Sequence, residues 1–174
     1  MGIEIERKFL LASDGWRDAA HDVVAMAQGY LNDLHAVASG AMNASVRVRI
    51  EGEQARLNIK SRELGASRQE FDYLIPMDDA RALLALCVGG VIDKRRHLVQ
   101  HAGHLWEVDE FLGANAGLVV AEIELDSEEE PFERPAWLGV EATHAGRYYN
   151  LALASRPYSQ WDEAQRLATD LKES

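Results

Sequence analysis

The feature that most limits how this chain can fold is a series of like-charged residues spaced two apart in strand-like segments. Successive side chains of a β-strand point to opposite faces, so residues i and i+2 share one face. Glu4, Glu6 and Lys8 therefore line one side of the first segment, with Ile3, Ile5 and Phe9 on the other. Arg47 and Arg49 lie opposite Val46, Val48 and Ile50, and Asn58, Lys60 and Arg62 opposite Leu57 and Ile59. Glu70 and Asp72 share a face, as do Lys94 and Arg96, Glu107 and Asp109, and Glu122 and Glu124. A single doublet of this kind is the ordinary solvated face of an antiparallel sheet. The set is different, because it is sorted by sign, and like charges along or across strands repel. Paired cations suit phosphate oxygens, with arginine contacting them bidentately. Paired carboxylates, about 7 Å apart along a strand, suit hard divalent cations such as Mg2+ or Mn2+.

The rest of the chain supplies the frame. Strands are predicted over 3–11, 23–31, 44–51, 55–62, 67–75, 91–99, 105–112 and 118–126. Helices are predicted over 14–21, 77–86, 148–154 and 161–171, and 36–44 reads as a small, polar loop. The fold class is thus mainly β (α+β): a closed eight-stranded antiparallel β-barrel, a tunnel with a charged lumen, flanked by helices. Burying so many charges in isolation would be prohibitive. A hydrated lumen filled by a metal and a polyanion makes it tolerable, while helices near 14–21, 77–87 and 145–171 cover the apolar outer faces. The 174 residues form one domain, with tunnel strands over about 2–126 and a helical segment over about 132–172.

Composition narrows the partners. A net charge of -11 disfavours nucleic acid and anionic membranes, but not a small anion in a locally basic pocket. Cys87 is the only cysteine, which removes a disulfide framework and a cysteine-based zinc site and reads as a buried structural thiol. The 6 histidines lack zinc-ligand spacing. No GxSxG, Cys–His pair or Walker loop is present. The N-terminus has no apolar core of signal-peptide length, and no run approaches the roughly 20 apolar residues of a membrane span. A cytoplasmic protein is expected.

The ordered motifs resemble those of the CYTH superfamily, the triphosphate tunnel metalloenzymes. Glu4-x-Glu6-x-Lys8 is similar to its N-terminal signature. Gln28-Gly29-Tyr30-Leu31, Val46-Arg47-Val48-Arg49, Leu57-Asn58-Ile59-Lys60-Ser61, Lys94-Arg95-Arg96, Trp106-Glu107-Val108-Asp109 and Glu122-Ile123-Glu124 resemble later blocks in the expected order. Arg147-Tyr148-Tyr149-Asn150 resembles the late helical block. The resemblance implies a tunnel that binds a small-molecule triphosphate and a divalent metal, Mg2+ or Mn2+. It implies Glu4, Glu6, Asp109, Glu122 and Glu124 as metal ligands, and Lys8, Arg47, Arg49, Lys60, Lys94 and Arg96 as the phosphate grip. Lys8 and Tyr30 match a lysine–tyrosine pair that assists catalysis in some members; a packing role at the barrel end is the other reading of Tyr30.

The implied reaction is metal-dependent hydrolysis of inorganic tripolyphosphate to pyrophosphate and phosphate. The alternatives are a class IV-like adenylate cyclase, a thiamine or nucleoside triphosphatase, and a non-catalytic polyphosphate-binding module. The acidic pairs count against the last, because anion binding alone does not call for them. A closed barrel would leave no exposed edge, so a homodimer would have to form through another surface.

Overall fold

Alternating apolar and charged residues form one antiparallel ladder. The computed structural model describes residues 5–61 and 69–171. Glu4, Arg62 and the turn expected at 63–66 lie outside the described residues. The strands are β1 (Ile5–Leu11), β2 (Ala20–Tyr30), β3 (Ala44–Glu51), β4 (Gln54–Ser61), β5 (Glu70–Leu74), β6 (Val88–His101), β7 (His104–Phe111), β8 (Val119–Leu125) and β9 (Leu138–Glu141). The helices are α1 (Trp16–Ala19), α2 (Leu34–Ser39), α3 (Met77–Leu84), α4 (Asn150–Ser155) and α5 (Glu163–Leu167). Among the described residues no helix is long and apolar enough to cross a membrane.

The sheet order is β5-β4-β3-β2-β6-β7-β8-β1-β9. Hairpins with two-residue turns set the register locally. Glu51 pairs with Gln54 across Gly52-Glu53, where Gly52 has φ +56°. His101 pairs with His104 across Ala102-Gly103, both at positive φ, as a type I′ turn requires. All eight expected strands are present, and β9 is an addition in a stretch read as helical from its sequence. It pairs with β1, where Gly139 is needed because a Cβ there would stand 2.7 Å from the Leu10 carbonyl oxygen. A strand has two edges, and those of β1 are filled by β8 and β9. Among the described residues β5 and β9 are therefore the outer strands, and hydrogen bonds do not close the barrel-like curl.

Helix α2 occupies part of the expected 36–44 loop. Asp33 caps it by accepting a hydrogen bond from the His35 amide (2.8 Å), and Gly40 ends it at φ +85°. Cys87 is partly buried and sits against Gly29, where a Cβ would come within 2.6 Å of its Sγ.

The outer, apolar face is covered as expected over two regions. Phe9, Trp106, Val108, Ala121 and Ile123 are buried with Trp16 of α1 and with Trp137 and Leu138. Trp106 lies edge-to-face with Phe9, Phe132 and Trp137, each at 5.7 Å between ring centroids. Val48 and Ala55 are buried against Ala80 of α3. The C-terminal segment packs elsewhere. Tyr148, Leu153, Ala154 and Trp161 are buried against Tyr30, Ile92, Phe111 and Val120. Ile92, Phe111 and Val120 alternate at i±2 with Lys94, Asp109 and Glu122, so they lie on the charged face. The C-terminal helices thus plug one end of that face instead of covering the outside. Leu10 of β1 and Tyr30 of β2 both pack into this plug. Those strands are four places apart in the sheet, about 19 Å if it were flat, so the sheet curls around the plug.

Trp106→Ala is expected to destabilise the protein by about 3–5 kcal/mol, because three aromatic contacts and the cover of β1 and β8 are lost together. Chemical denaturation followed by fluorescence of the remaining tryptophans measures it.

Candidate active site

Strand register, read residue by residue, puts the charged positions on one face. Lys8 stands opposite Glu122, and Glu122 opposite Glu107; Glu6 stands opposite Glu124. Arg96 is opposite Asp109. Gln28 and Tyr30 are opposite Arg49 and Arg47, Arg47 is opposite Asn58, and Lys60 is opposite Glu70. Because β2 and β6 are neighbours, the two halves join across Met26 and Lys94.

The first half is a network of carboxylates and cations on β1, β8, β7 and β6. The Lys8 ammonium bonds Glu122 and lies 3.4 Å from Glu6. Arg96 donates through Nε to Asp109 Oδ1 (2.8 Å) and through Nη2 to Asp109 Oδ2 (2.7 Å) and Glu122 Oε2 (3.1 Å). It also pairs with Glu107, and Lys94 pairs with Asp109. Lys8, Lys94, Asp109 and Glu122 are buried, so each charge here depends on its partners.

The pKa directions follow from those partners. Burial works against the Lys8 charge, but Glu122 and Glu6 outweigh it and hold its pKa above the usual lysine value. Burial likewise opposes the Asp109 carboxylate, yet Lys94 and Arg96 both donate to it and hold it below the usual range. Lys94 does not gain symmetrically. It is wholly buried, shares Asp109 with Arg96, and feels the Arg96 charge, so its pKa is lowered. Burial, and then repulsion from Glu122, raises the Glu6 carboxyl. Burial also raises Glu107, against the pull of Arg96.

The second half is a basic cradle on β2 and β3. Nε of Arg47, Nε of Arg49 and the Gln28 side-chain nitrogen are buried without a hydrogen-bond partner among the described residues. Burial, and then the neighbouring Arg49 charge, lowers the Arg47 pKa. Burial raises the Tyr30 hydroxyl, opposed by Arg47. Among the described residues Arg49 has one ion pair, to Glu51 at 3.6 Å. Buried donors left unpaired cost free energy, and an anion with several acceptor oxygens is the partner that would satisfy all three. Lys60 lies farther out, 3.5 Å from Glu70, which also bonds Asn58.

Of the residues proposed from the sequence, Glu6, Lys8, Lys94, Arg96, Asp109 and Glu122 meet in the first network, and Tyr30, Arg47 and Arg49 in the cradle. Glu124 faces Glu6 at an exposed position, and Glu4 lies outside the described residues. Lys8 and Tyr30 lie on strands that follow one another in sequence but not in the sheet, since β1 pairs with β8 and β9 while β2 pairs with β3 and β6; the curl brings Leu10 and Tyr30 into one cluster, and Tyr30 has Arg47 beside it. The aromatic ring over the Lys8 ammonium is Tyr149, with Nζ 4.7 Å from its centroid. Gln28 and Tyr149 lie in motif blocks quoted above but were not among the site residues proposed from the sequence. Gln28 carried a signal, as a polar residue in phase with Tyr30 and Met26; Tyr149 carried none beyond its place in a helical block.

Among the described residues no three acidic or histidine side chains converge on a ready-made cation site, because Lys8, Lys94 and Arg96 lie between the carboxylates. The donor set nevertheless fits a hard divalent cation. Its donors are oxygens, and burial, then repulsion from Glu122, raises the Glu6 carboxyl, a cost to its charged form that a cation would relieve.

The sequence matches the CYTH domain over residues 2–155. It is 42% identical over 164 residues to an inorganic triphosphatase of Acetivibrio thermocellus, covering 94% of this chain and 100% of that protein. It is 34% identical over 154 residues to an inorganic triphosphatase of Nitrosomonas europaea, covering 87% and 96%. The fold superposes on a crystal structure of an inorganic triphosphatase with a TM-score of 0.69 at 32% identity, covering 88% of this chain and 95% of that one. A putative adenylyl cyclase from Hippeastrum, described as having a dominant triphosphatase activity, shares the fold at a TM-score of 0.54 and 16% identity, over 72% and 81%.

Glu6→Gln is expected to weaken divalent-metal binding and to raise the melting temperature of the metal-free protein at neutral pH. The folded-state pKa of Glu6 is raised, so ionisation costs more in the folded state, and this contribution to stability falls as pH rises above about 4.3. A neutral isostere removes that cost. Thermal melts from pH 4 to 8, with and without metal, check both effects: the gain in melting temperature is expected at pH 7 and should vanish near pH 4.

Proposed function

As the chain belongs to the CYTH domain family, we propose that it hydrolyses inorganic tripolyphosphate to pyrophosphate and phosphate with Mg2+ or Mn2+. The observation that carries this reading is the buried donor set of Gln28, Arg47 and Arg49, unpaired among the described residues, beside a carboxylate network on one face of a protein of net charge -11. A phosphate chain supplies acceptors to the first and a divalent cation answers the second. The relatives named inorganic triphosphatases span most of this chain. The apolar plug of Tyr148, Leu153 and Trp161 fills one end of the charged face, which favours a substrate without an organic group at that end.

In the proposed mechanism Arg47, Arg49 and Gln28 hold one part of the triphosphate, with Tyr30 beside them. Lys94, Arg96 and Lys8 exchange part of their bonding to Asp109 and Glu122 for phosphate oxygens, and Lys60 extends the grip at the β4 side. These cations are fixed by folding, so they oppose developing negative charge with little reorganisation. Glu6, Glu122 and Glu124, with Glu4 and Asp109 as further ligands, would hold the metal, which supplies Lewis acidity toward phosphate oxygen and a lowered pKa for bound water. Water attacks the terminal phosphorus, the bridging P–O bond breaks, and pyrophosphate leaves in line. Among the carboxylates outside the metal set, Glu107 has a raised pKa and is the stronger base for the proton released. Lys8 acts beside the carboxylates and Tyr30 beside Arg47.

The test is a panel of tripolyphosphate, ATP, thiamine triphosphate and long-chain polyphosphate, each with Mg2+ or Mn2+. Phosphate and pyrophosphate from tripolyphosphate are expected as the dominant products. Cyclic AMP from ATP as the main activity, or no phosphate release from any substrate, would overturn the reading. Arg49→Ala is expected to lower kcat/KM for tripolyphosphate roughly 10- to 150-fold, the value of a charged hydrogen bond of about 1.5–3 kcal/mol. Steady-state kinetics measure it, and wild-type constants would remove Arg49 from the grip.

A further inference from the structure

We propose that Tyr149 is a positioning residue for Lys8, holding its ammonium between the carboxylates and the substrate phosphates. The inference rests on the proposed triphosphatase reading for its kinetic part only. The Lys8 Nζ lies 4.7 Å from the Tyr149 ring centroid. The ring is itself anchored. Its hydroxyl donates to the Thr143 carbonyl oxygen at 2.6 Å. Thr143 Oγ1 accepts from the Lys8 amide at 3.1 Å and donates to Glu141 Oε1 at 2.7 Å. The Ala142 amide donates to the Lys8 carbonyl oxygen at 2.7 Å. Glu141 is tied in turn to β1, accepting from Arg7 Nε at 2.9 Å. The stretch from Glu141 to Tyr149 therefore grips Lys8 twice, at its backbone through Ala142 and Thr143 and at its side chain through the ring.

The ring does something that a third carboxylate would not. A π-face attracts the cation without capturing a specific N–H, so a donor of the ammonium stays available to phosphate oxygen. A cation bound by Glu6 and Glu122 would draw on the carboxylates that hold Lys8, and the Tyr149 ring would remain a protein partner of the ammonium beside the phosphate oxygens. Without it, fewer contacts fix the rotamer of a four-carbon side chain.

The experiment compares wild type, Tyr149→Leu and Tyr149→Phe in the full chain. The first readout is independent of activity: the Lys8 Cε methylene protons in the NMR spectrum, assigned by their loss in Lys8→Arg. An upfield ring-current shift is expected in wild type and Tyr149→Phe, and its loss in Tyr149→Leu. The second readout is tripolyphosphate hydrolysis. Tyr149→Leu is expected to lower kcat/KM about 3- to 30-fold, with Tyr149→Phe restored to within about 3-fold of wild type. If the Leu variant does not fold by thermal melt, Tyr149→Met takes its place. An unshifted Lys8 resonance in wild type overturns the proposal, as do wild-type kinetics in the Leu variant or equal impairment of Phe and Leu. An inactive wild type whose Lys8 resonance still shifts with Tyr149 sinks the triphosphatase reading and leaves the contact standing.

Discussion

The structure depends on charge neutralisation on one face of a curled sheet. Glu122 shows it most directly, bonded by Lys8 from β1 and by Arg96 from β6. Asp109 is bonded by Lys94 and Arg96 from the neighbouring strand. Each of these groups is too buried to keep its charge alone. The register that pairs β6 with β7, β7 with β8, and β8 with β1 is therefore the register in which the charges meet. Slipping any of these strands by one residue would send its charged residues to the outer face, among Phe9, Trp106 and Ile123.

The same face divides into a part that is satisfied and a part that is not. Around Asp109 the cations have carboxylates. Around Arg47 and Arg49 the buried Nε–H groups have no partner among the described residues. Folding has thus assembled a group of donors whose partner is not supplied by the neighbouring strands. This unpaired set distinguishes a binding surface from a structural ion-pair network, which would match its charges internally.

Much of this was legible in the sequence. Period-two alternation gave the strands and placed Glu6, Lys8, Arg47, Arg49, Lys94, Arg96, Asp109 and Glu122 on one face, because side-chain direction on a strand is a local property. β9 was not legible, since Leu138–Glu141 is four residues long and owes its state to the free edge of β1. Nor was the position of the C-terminal helices: apolar Tyr148, Leu153 and Trp161 mark a buried face without saying which face of the sheet buries it.

The sequence by itself determined which residues are charged, how they alternate, and that like signs recur on the same strand. Only the tertiary structure decided which strands are neighbours. That is why Lys8 of β1 stands opposite Glu122 of β8 and not opposite a residue of β2: order along the chain sets the next strand in sequence, whereas hydrogen bonding between strand edges sets the next strand in space.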